Sequence, residues 1–243
     1  MMEDVAAGDI ASTMAARVER AIRQDILRGV LAPGTRLRVA DLSTRYGVSH
    51  IPVREALRQL EGDRLVVIES HKGAILRGVS PKFVADMHDT REAIETLLVR
   101  RATENVTDEQ SAHLESLAAA YEQAAETKNA DRMVEANLRL HRFIAKIADN
   151  PEAAEIHERG WELVISIRNR YGFGENRVAA IIDQHRRLVA AIKARDKDLA
   201  VAVAQEHCQS AKLDLLERME LEGRNPAWGP GGASGGRVQD TSD

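Results

Sequence analysis

The stretch that most limits what this chain can become is Asp41-Leu-Ser-Thr-Arg-Tyr-Gly-Val-Ser-His-Ile-Pro-Val-Arg54. Leu42, Tyr46 and Val48 carry an apolar edge up to Gly47, the residue type that tolerates the left-handed corner between two helices. Ser49 is placed to cap a new helix with its hydroxyl, and Pro52 falls in the first turn, where a missing N–H costs little. Beyond it Val53, Ala56, Leu57 and Leu60 share one side at helical spacing, while Arg54 and Arg58 share another. A short helix with its back in a small core and arginines facing out suits the DNA major groove. Two β-favouring runs follow, Val66-Val67-Ile68 and Ala74-Ile75-Leu76, around a loop holding His71, Lys72 and Gly73. The order predicts a helix-turn-helix followed by a hairpin with a basic tip, a winged helix.

The charge distribution supports a division of labour. The chain is acidic overall, at −4, yet residues 14–78 hold twelve cations and seven anions, a net +5, which leaves −9 elsewhere. A basic module joined to an acidic one is expected when only one part touches phosphate. The lone cysteine, Cys208, excludes an intramolecular disulfide and suits a reducing cytoplasm, with a small apolar filler as its ordinary role. The acidic first eleven residues lack the apolar core of a signal peptide, and no apolar run approaches the roughly 20 residues a bilayer span needs. A cytoplasmic protein with no membrane partner is therefore expected.

In chain order, residues 1–13 read as a disordered lead. A first helix covers 14–29, carrying Ala15, Val18, Ile22, Ile26 and Leu27 and stopping at Gly29. The DNA-binding domain then spans 14–78. Ser80-Pro81 opens a helical domain, 79–222, with six helices near 81–103, 108–127, 130–149, 152–171, 175–194 and 196–221. Short connections imply antiparallel packing. Residues 223–243, with Gly229-Pro230-Gly231-Gly232, read as a disordered tail. The expected fold class is mainly α: a winged helix-turn-helix with a small β-hairpin, then an all-α antiparallel six-helix bundle.

Polar residues interrupt the apolar stripes of that bundle. One stripe is Val84, Met87, Arg91, Ile94, Leu98, and a second is Met133, Asn137, Leu140, His141, Ile144, Ala148. A third is Val178, Ile181, His185, Leu188, Ile192, and a fourth is Leu199, Val203, His207. Buried polar groups need partners. Any one such histidine is ordinarily a core residue bonded to a carbonyl. Three on inward faces, with Asn137 one turn from His141, favour a divalent metal, Zn²⁺ or Ni²⁺ by ligand type. His88, His113 and His157 lie off the pattern.

The string Val48-Ser-His-Ile-Pro-Val-Arg-Glu-Ala-Leu57, with Pro33-Gly-Thr-Arg-Leu37 ahead of it, resembles the winged helix of GntR-type bacterial transcription regulators over residues 14–78. The resemblance implies double-stranded DNA as partner, with Arg36, Arg38, Ser49, His50, Ile51, Arg54, Arg58, His71 and Lys72 at the interface. Relatives most often carry Arg and Thr at the positions of His50 and Ile51, so their operator sequences do not transfer. The second half is similar to the FCD ligand-binding domain of the FadR-type branch, on Arg91 with Glu95, Asn137-x-x-x-His141, Asn150, His185 and His207. Six helices point to its VanR-like subgroup. That resemblance implies Asn137, His141, His185 and His207 as metal ligands, with a small organic acid completing the coordination and Arg91 placed to pair with it. Relatives carry Asp and Phe at Asn137 and Leu140, and neutral Asn is the weaker ligand. The implied protein is a homodimeric repressor on an inverted repeat, not an enzyme. Two competing readings are a metallohydrolase on the three-His site, with Glu95 as its base, and an architectural DNA protein without ligand response.

Overall fold

The computed structural model describes residues 13–69, 73–159 and 161–223. The expectations placed on residues 1–12, on the wing tip with His71 and Lys72, and on the tail from 224 lie outside them. Among the described residues, ten helices and three short strands run in the order α1 (Met14–Leu27), β1 (Arg36–Leu37), α2 (Val39–Tyr46), α3 (His50–Gly62), β2 (Val66–Glu69), β3 (Gly73–Leu76), α4 (Pro81–Asn105), α5 (Asp108–Glu126), α6 (Ala130–Ala148), α7 (Pro151–Glu158), α8 (Trp161–Tyr171), α9 (Arg177–Lys193) and α10 (Lys197–Gly223).

The corner between α2 and α3 is turned by Gly47 at φ 65°, ψ 36°, a conformation that a β-carbon would strain. Val53, Ala56, Leu57 and Leu60 of α3 are buried together with Val18, Ile22 and Ile26 of α1 in one apolar core. Ser49 takes the cap position of α3, but its hydroxyl caps nothing. An N-cap side chain reaches the N–H of the second or third helical residue, and the third is Pro52, which has none. The sheet is larger than the expected hairpin. Besides the β2–β3 pairing, from Val66 opposite Leu76 to Glu69 opposite Gly73, β1 adds antiparallel to β3 with Arg36 opposite Ile75. β1 is two residues long, too short for an alternation pattern to reveal.

The rear half follows its capping signals. Ser80 caps α4 with Pro81 in the first turn, Thr107 and Gln110 form a reciprocal capping box on α5, and Asn129 and Asn150 cap α6 and α7. One expected helix, 152–171, is instead two. Arg159 leaves the helix at φ −63°, ψ 127°, next to Gly160, a residue type that costs a helix interior about 1 kcal/mol relative to Ala. The described residues thus hold seven helical segments after the wing where the pattern suggests six. The break matters, because α8 joins both halves. Its Leu163 is fully buried in the core of the winged helix, while its Ile167 packs with Val84 of α4 and Leu215 of α10. Asn169 donates to the Leu27 carbonyl at the end of α1 (3.4 Å) and to Asp131 at the start of α6 (3.0 Å). The main helical core is built by α4, α5, α6, α9 and α10 around Leu98, Leu114, Leu140, Ile144, Leu188 and Val203. Among the described residues no helix is long and apolar enough to cross a membrane.

Candidate functional site

Three helices converge three imidazoles on one point. His141 of α6, His185 of α9 and His207 of α10 each offer a ring nitrogen, and the three nitrogens lie within 4.8 Å of one another. Ring centroids are 5.1–5.5 Å apart, and the rings are 9 %, 1 % and 8 % exposed. On α10 the inward row is Ala200, Val203, Ala204 and His207, while Leu199, expected inward, is 47 % exposed. Asn137 sits one turn before His141, half-buried, and lines a cavity of about 80 Å³ with His207 and a smaller one of about 40 Å³ with His141 and His207.

The surrounding hydrogen bonds fix which nitrogens are available. Arg177 can only donate, and its Nη1 lies 3.1 Å from Gln184 Oε1, so that atom is the amide oxygen. The same oxygen stands 3.1 Å from His207 Nδ1. Nδ1 must therefore carry the proton, leaving the Nε2 lone pair for a ligand. Gln184 is itself held through its amide nitrogen by Glu206 (3.1 Å) and Ser210 (3.3 Å). Glu95 of α4 backs His141 in a similar way: its Oε1 lies 2.6 Å from Nδ1. His141 Nε2 and both nitrogens of His185 have no hydrogen-bond partner among the described residues. Each unsatisfied buried group costs roughly 1–3 kcal/mol. Three converging imidazoles, two of them backed by a carboxylate or an amide, are the donor set of a borderline divalent ion such as Zn²⁺ or Ni²⁺.

Burial pushes His207 down to about 3, with His141 and Arg177 adding to the effect, and pushes His185 well below its ordinary range. Both rings are neutral at physiological pH, as ligands must be. Burial alone would raise Glu95, but His141, through charge and contact, and His157 outweigh it and hold the carboxyl well below its usual range. With Cys208 Sγ also donating to Oε2 at 3.5 Å, Glu95 is a fully engaged support rather than a free base.

Arg91, expected to meet an acid or Glu95, is buried and donates to the His157 carbonyl (2.6 Å) and to His157 Nε2 (2.9 Å). Burial lowers its pKa, and Glu95 offsets part of that fall. Its side chain lines the smaller cavity beside Glu95, Asn137 and His141. His157 therefore belongs to the site's support, as does His88, which lines both cavities and holds the Val84 carbonyl at 2.9 Å. Periodicity missed both: α7 is too short for a stripe, and the inner row of α4 runs Val84, His88, Arg91, Glu95, Leu98 rather than through Met87 and Ile94. Gln184 and Arg177 were missed as well, since a glutamine and an arginine on a helix are ordinarily solvated. His113 stands apart, edge-on to Phe143.

The winged helix shows a second candidate surface. His50, Ile51, Arg54 and Arg58 are exposed on the outer side of α3, with Ile51 at 76 %. Arg36 and Arg38 are exposed around β1. Among the described residues these four arginines enter no hydrogen bond or ion pair, unlike Arg139, Arg142, Arg186 and Arg187 of the rear half, which pair with Glu135, Glu158, Glu122 and Glu206. Uncompensated arginines over a buried scaffold are what a phosphate backbone neutralises.

Residues 14–76 match the gntR family of bacterial regulatory proteins, and residues 86–210 match the FCD domain. The chain is 29 % identical over 193 residues to the transcriptional repressor RspR of Escherichia coli K12, covering 79 % of this chain and 85 % of that one. It is also 29 % identical over 198 residues to the repressor GlaR of the same strain, covering 77 % and 89 %. Its fold is shared with the solved structure of E. coli McbR/YncC, at a TM-score of 0.73 and 23 % identity, over 86 % of this chain and all of that one. With a winged helix in front and a histidine-lined helical domain behind, the chain belongs to the GntR family of bacterial transcriptional regulators, in the group that carries an FCD domain.

Proposed function

We propose that this regulator is a homodimeric repressor whose grip on an inverted-repeat operator is set by a small organic acid bound beside a divalent metal. The observation that carries the reading is the convergence of His141, His185 and His207 within reach of one ion, with His141 Nε2 and both nitrogens of His185 lacking a hydrogen-bond partner among the described residues. Those three residues, with Asn137 beside them, would hold the ion. When bound, the ion supplies a Lewis-acidic centre that gathers a carboxylate oxygen. Arg91 and Arg177 add positive charge around the cavity, and the protein's own side chains exclude water from it.

In front, two copies of α3 would enter adjacent major grooves about 34 Å apart. Arg54 and His50 are the side chains for base edges or nearby phosphates, Ile51 adds apolar contact, and Arg36, Arg38, Arg58 and the free Ser49 hydroxyl approach the backbone. Wing-tip residues His71 and Lys72 are assigned to the same interface by sequence. An acid that binds the two arrangements of the winged helices unequally shifts operator affinity by the difference, about 1–3 kcal/mol in a typical coupling. Within the FadR-type branch the VanR-like subgroup rested on a count of six helices, and the separation of α7 from α8 removes that support.

Elemental analysis of protein purified without chelator tests the reading. One divalent ion per chain is expected, lost in His185→Ala. A chain that carries no ion, and whose thermal unfolding ignores added zinc or nickel, would contradict it.

A further inference from the structure

We propose that the pocket beside the three imidazoles is built for a short dicarboxylate, with Tyr121 and Arg177 receiving the carboxylate that the metal does not. The proposal deepens the reading above and rests on an acid binding beside the ion. Three observations carry it.

The first is an unneutralised cation. Arg177 is 6 % exposed and lines the 80 Å³ cavity. Its two terminal nitrogens donate to neutral acceptors, Gln184 Oε1 at 3.1 Å and the His207 carbonyl at 3.2 Å, and its Nε has no partner among the described residues. The other buried arginine of this wall, Arg168, is neutralised by Asp214 and stacked on Phe173. A buried guanidinium with only neutral partners is a standing demand for an anion.

The second is an unneeded hydroxyl. Tyr121 is 1 % exposed, packs edge-on to His185 at 4.8 Å and lines the same cavity, yet its Oη has no hydrogen-bond partner among the described residues. A phenylalanine would fill that space without the desolvation cost, and a buried tyrosine hydroxyl usually has a partner. Arg177 Nε–H and Tyr121 Oη–H are both donors, which selects a ligand group that accepts twice, as a carboxylate does. Met133, Val164 and Ile181 add apolar wall to the same cavity, which suits a methylene spacer.

The third is size. At about 10–15 Å³ of such volume per water-sized group, 80 Å³ admits about five to eight groups. Succinate falls within that allowance. Adipate, two methylenes longer, exceeds it.

Calorimetric titration of the zinc-loaded full chain with succinate, butyrate and adipate tests the assignment. Succinate should bind about tenfold or more tightly than butyrate, the gain of a charge-assisted bond pair, and adipate should bind no better than butyrate. Tyr121→Phe should bring succinate down towards the affinity of butyrate, and its zinc-free melting temperature should equal or exceed that of the parent, because the lost hydroxyl has no hydrogen-bond partner among the described residues. If butyrate equals succinate in the parent, or Tyr121→Phe leaves their ratio unchanged, the dicarboxylate assignment falls while the metal-and-acid reading stands. If zinc binds and none of the three acids does, both fall.

Discussion

Replacing Gln184 with methionine isolates the device that aims His207. In the parent, one oxygen accepts from both Arg177 Nη1 and His207 Nδ1, each at 3.1 Å. Methionine has similar length and no such acceptor, so two buried donors lose their partner, at roughly 1–3 kcal/mol each. The ring can escape its share by moving its proton to Nε2, which removes the lone pair a metal needs. Loss of an outer hydrogen bond to a ligating histidine typically costs 10–100-fold in metal affinity, about 1.4–2.7 kcal/mol. Two assays read this. Nitrogen NMR of zinc-free protein should show His207 protonated on Nδ1 in the parent and shifted towards Nε2 in Gln184→Met. Chelator competition should show zinc affinity falling by the stated factor. Gln184→Glu keeps the accepting oxygen, at the expense of the bond to Glu206, and should retain the Nδ1 form. An unchanged tautomer and unchanged zinc affinity in Gln184→Met would refute the reasoning, since a merely structural glutamine would alter stability alone.

Other consequences follow from the same geometry. Arg54→Ala should weaken operator binding by about 1–3 kcal/mol at fixed salt with the melting temperature unchanged, because Arg54 has no partner to lose among the described residues; equal affinity by gel shift removes it from the interface. Leu163→Ala should destabilise by about 2–5 kcal/mol, and the winged helix should suffer although the substitution lies in α8; an unaltered thermal midpoint would deny that α8 completes that core. Burial holds His88 at about 4, so the unfolded chain takes up the proton first. The stability this gives is complete above about pH 6.5 and is lost as pH falls towards 4, about 3 kcal/mol for this one residue. Urea midpoints of zinc-free protein at pH 7 and pH 4.5 should differ less in His88→Leu than in the parent, and an identical difference would contradict the assignment.

Much of this was legible in the chain itself, for reasons that differ by residue. Val53, Ala56, Leu57 and Leu60 sit where a 3.6-residue period puts them, because a helix face is a local property. The convergence of His141, His185 and His207 could be read because each interrupts an otherwise apolar row, and a buried polar residue must answer to something. What stayed hidden depends on contacts between distant segments. Gln184 matters because Arg177, seven residues earlier, reaches over it to meet His207 from another helix. His157 matters because α7 brings it to Arg91 across sixty-six residues of chain. Ser49 looked like a cap, and Pro52 three residues on denied it the N–H. The split of α7 from α8 was available in Gly160, but a single glycine within a periodic run is more often tolerated than obeyed.

If the rear cluster governs the front grip, operator affinity must respond to metal and acid together. Fluorescence anisotropy would follow the full chain binding a duplex selected by the protein from a random pool, at fixed salt, with and without zinc and succinate. Succinate should change the dissociation constant by about 5–150-fold, only when zinc is present, and His185→Ala should abolish the change while still binding the duplex. A dissociation constant indifferent to both zinc and acid would contradict it.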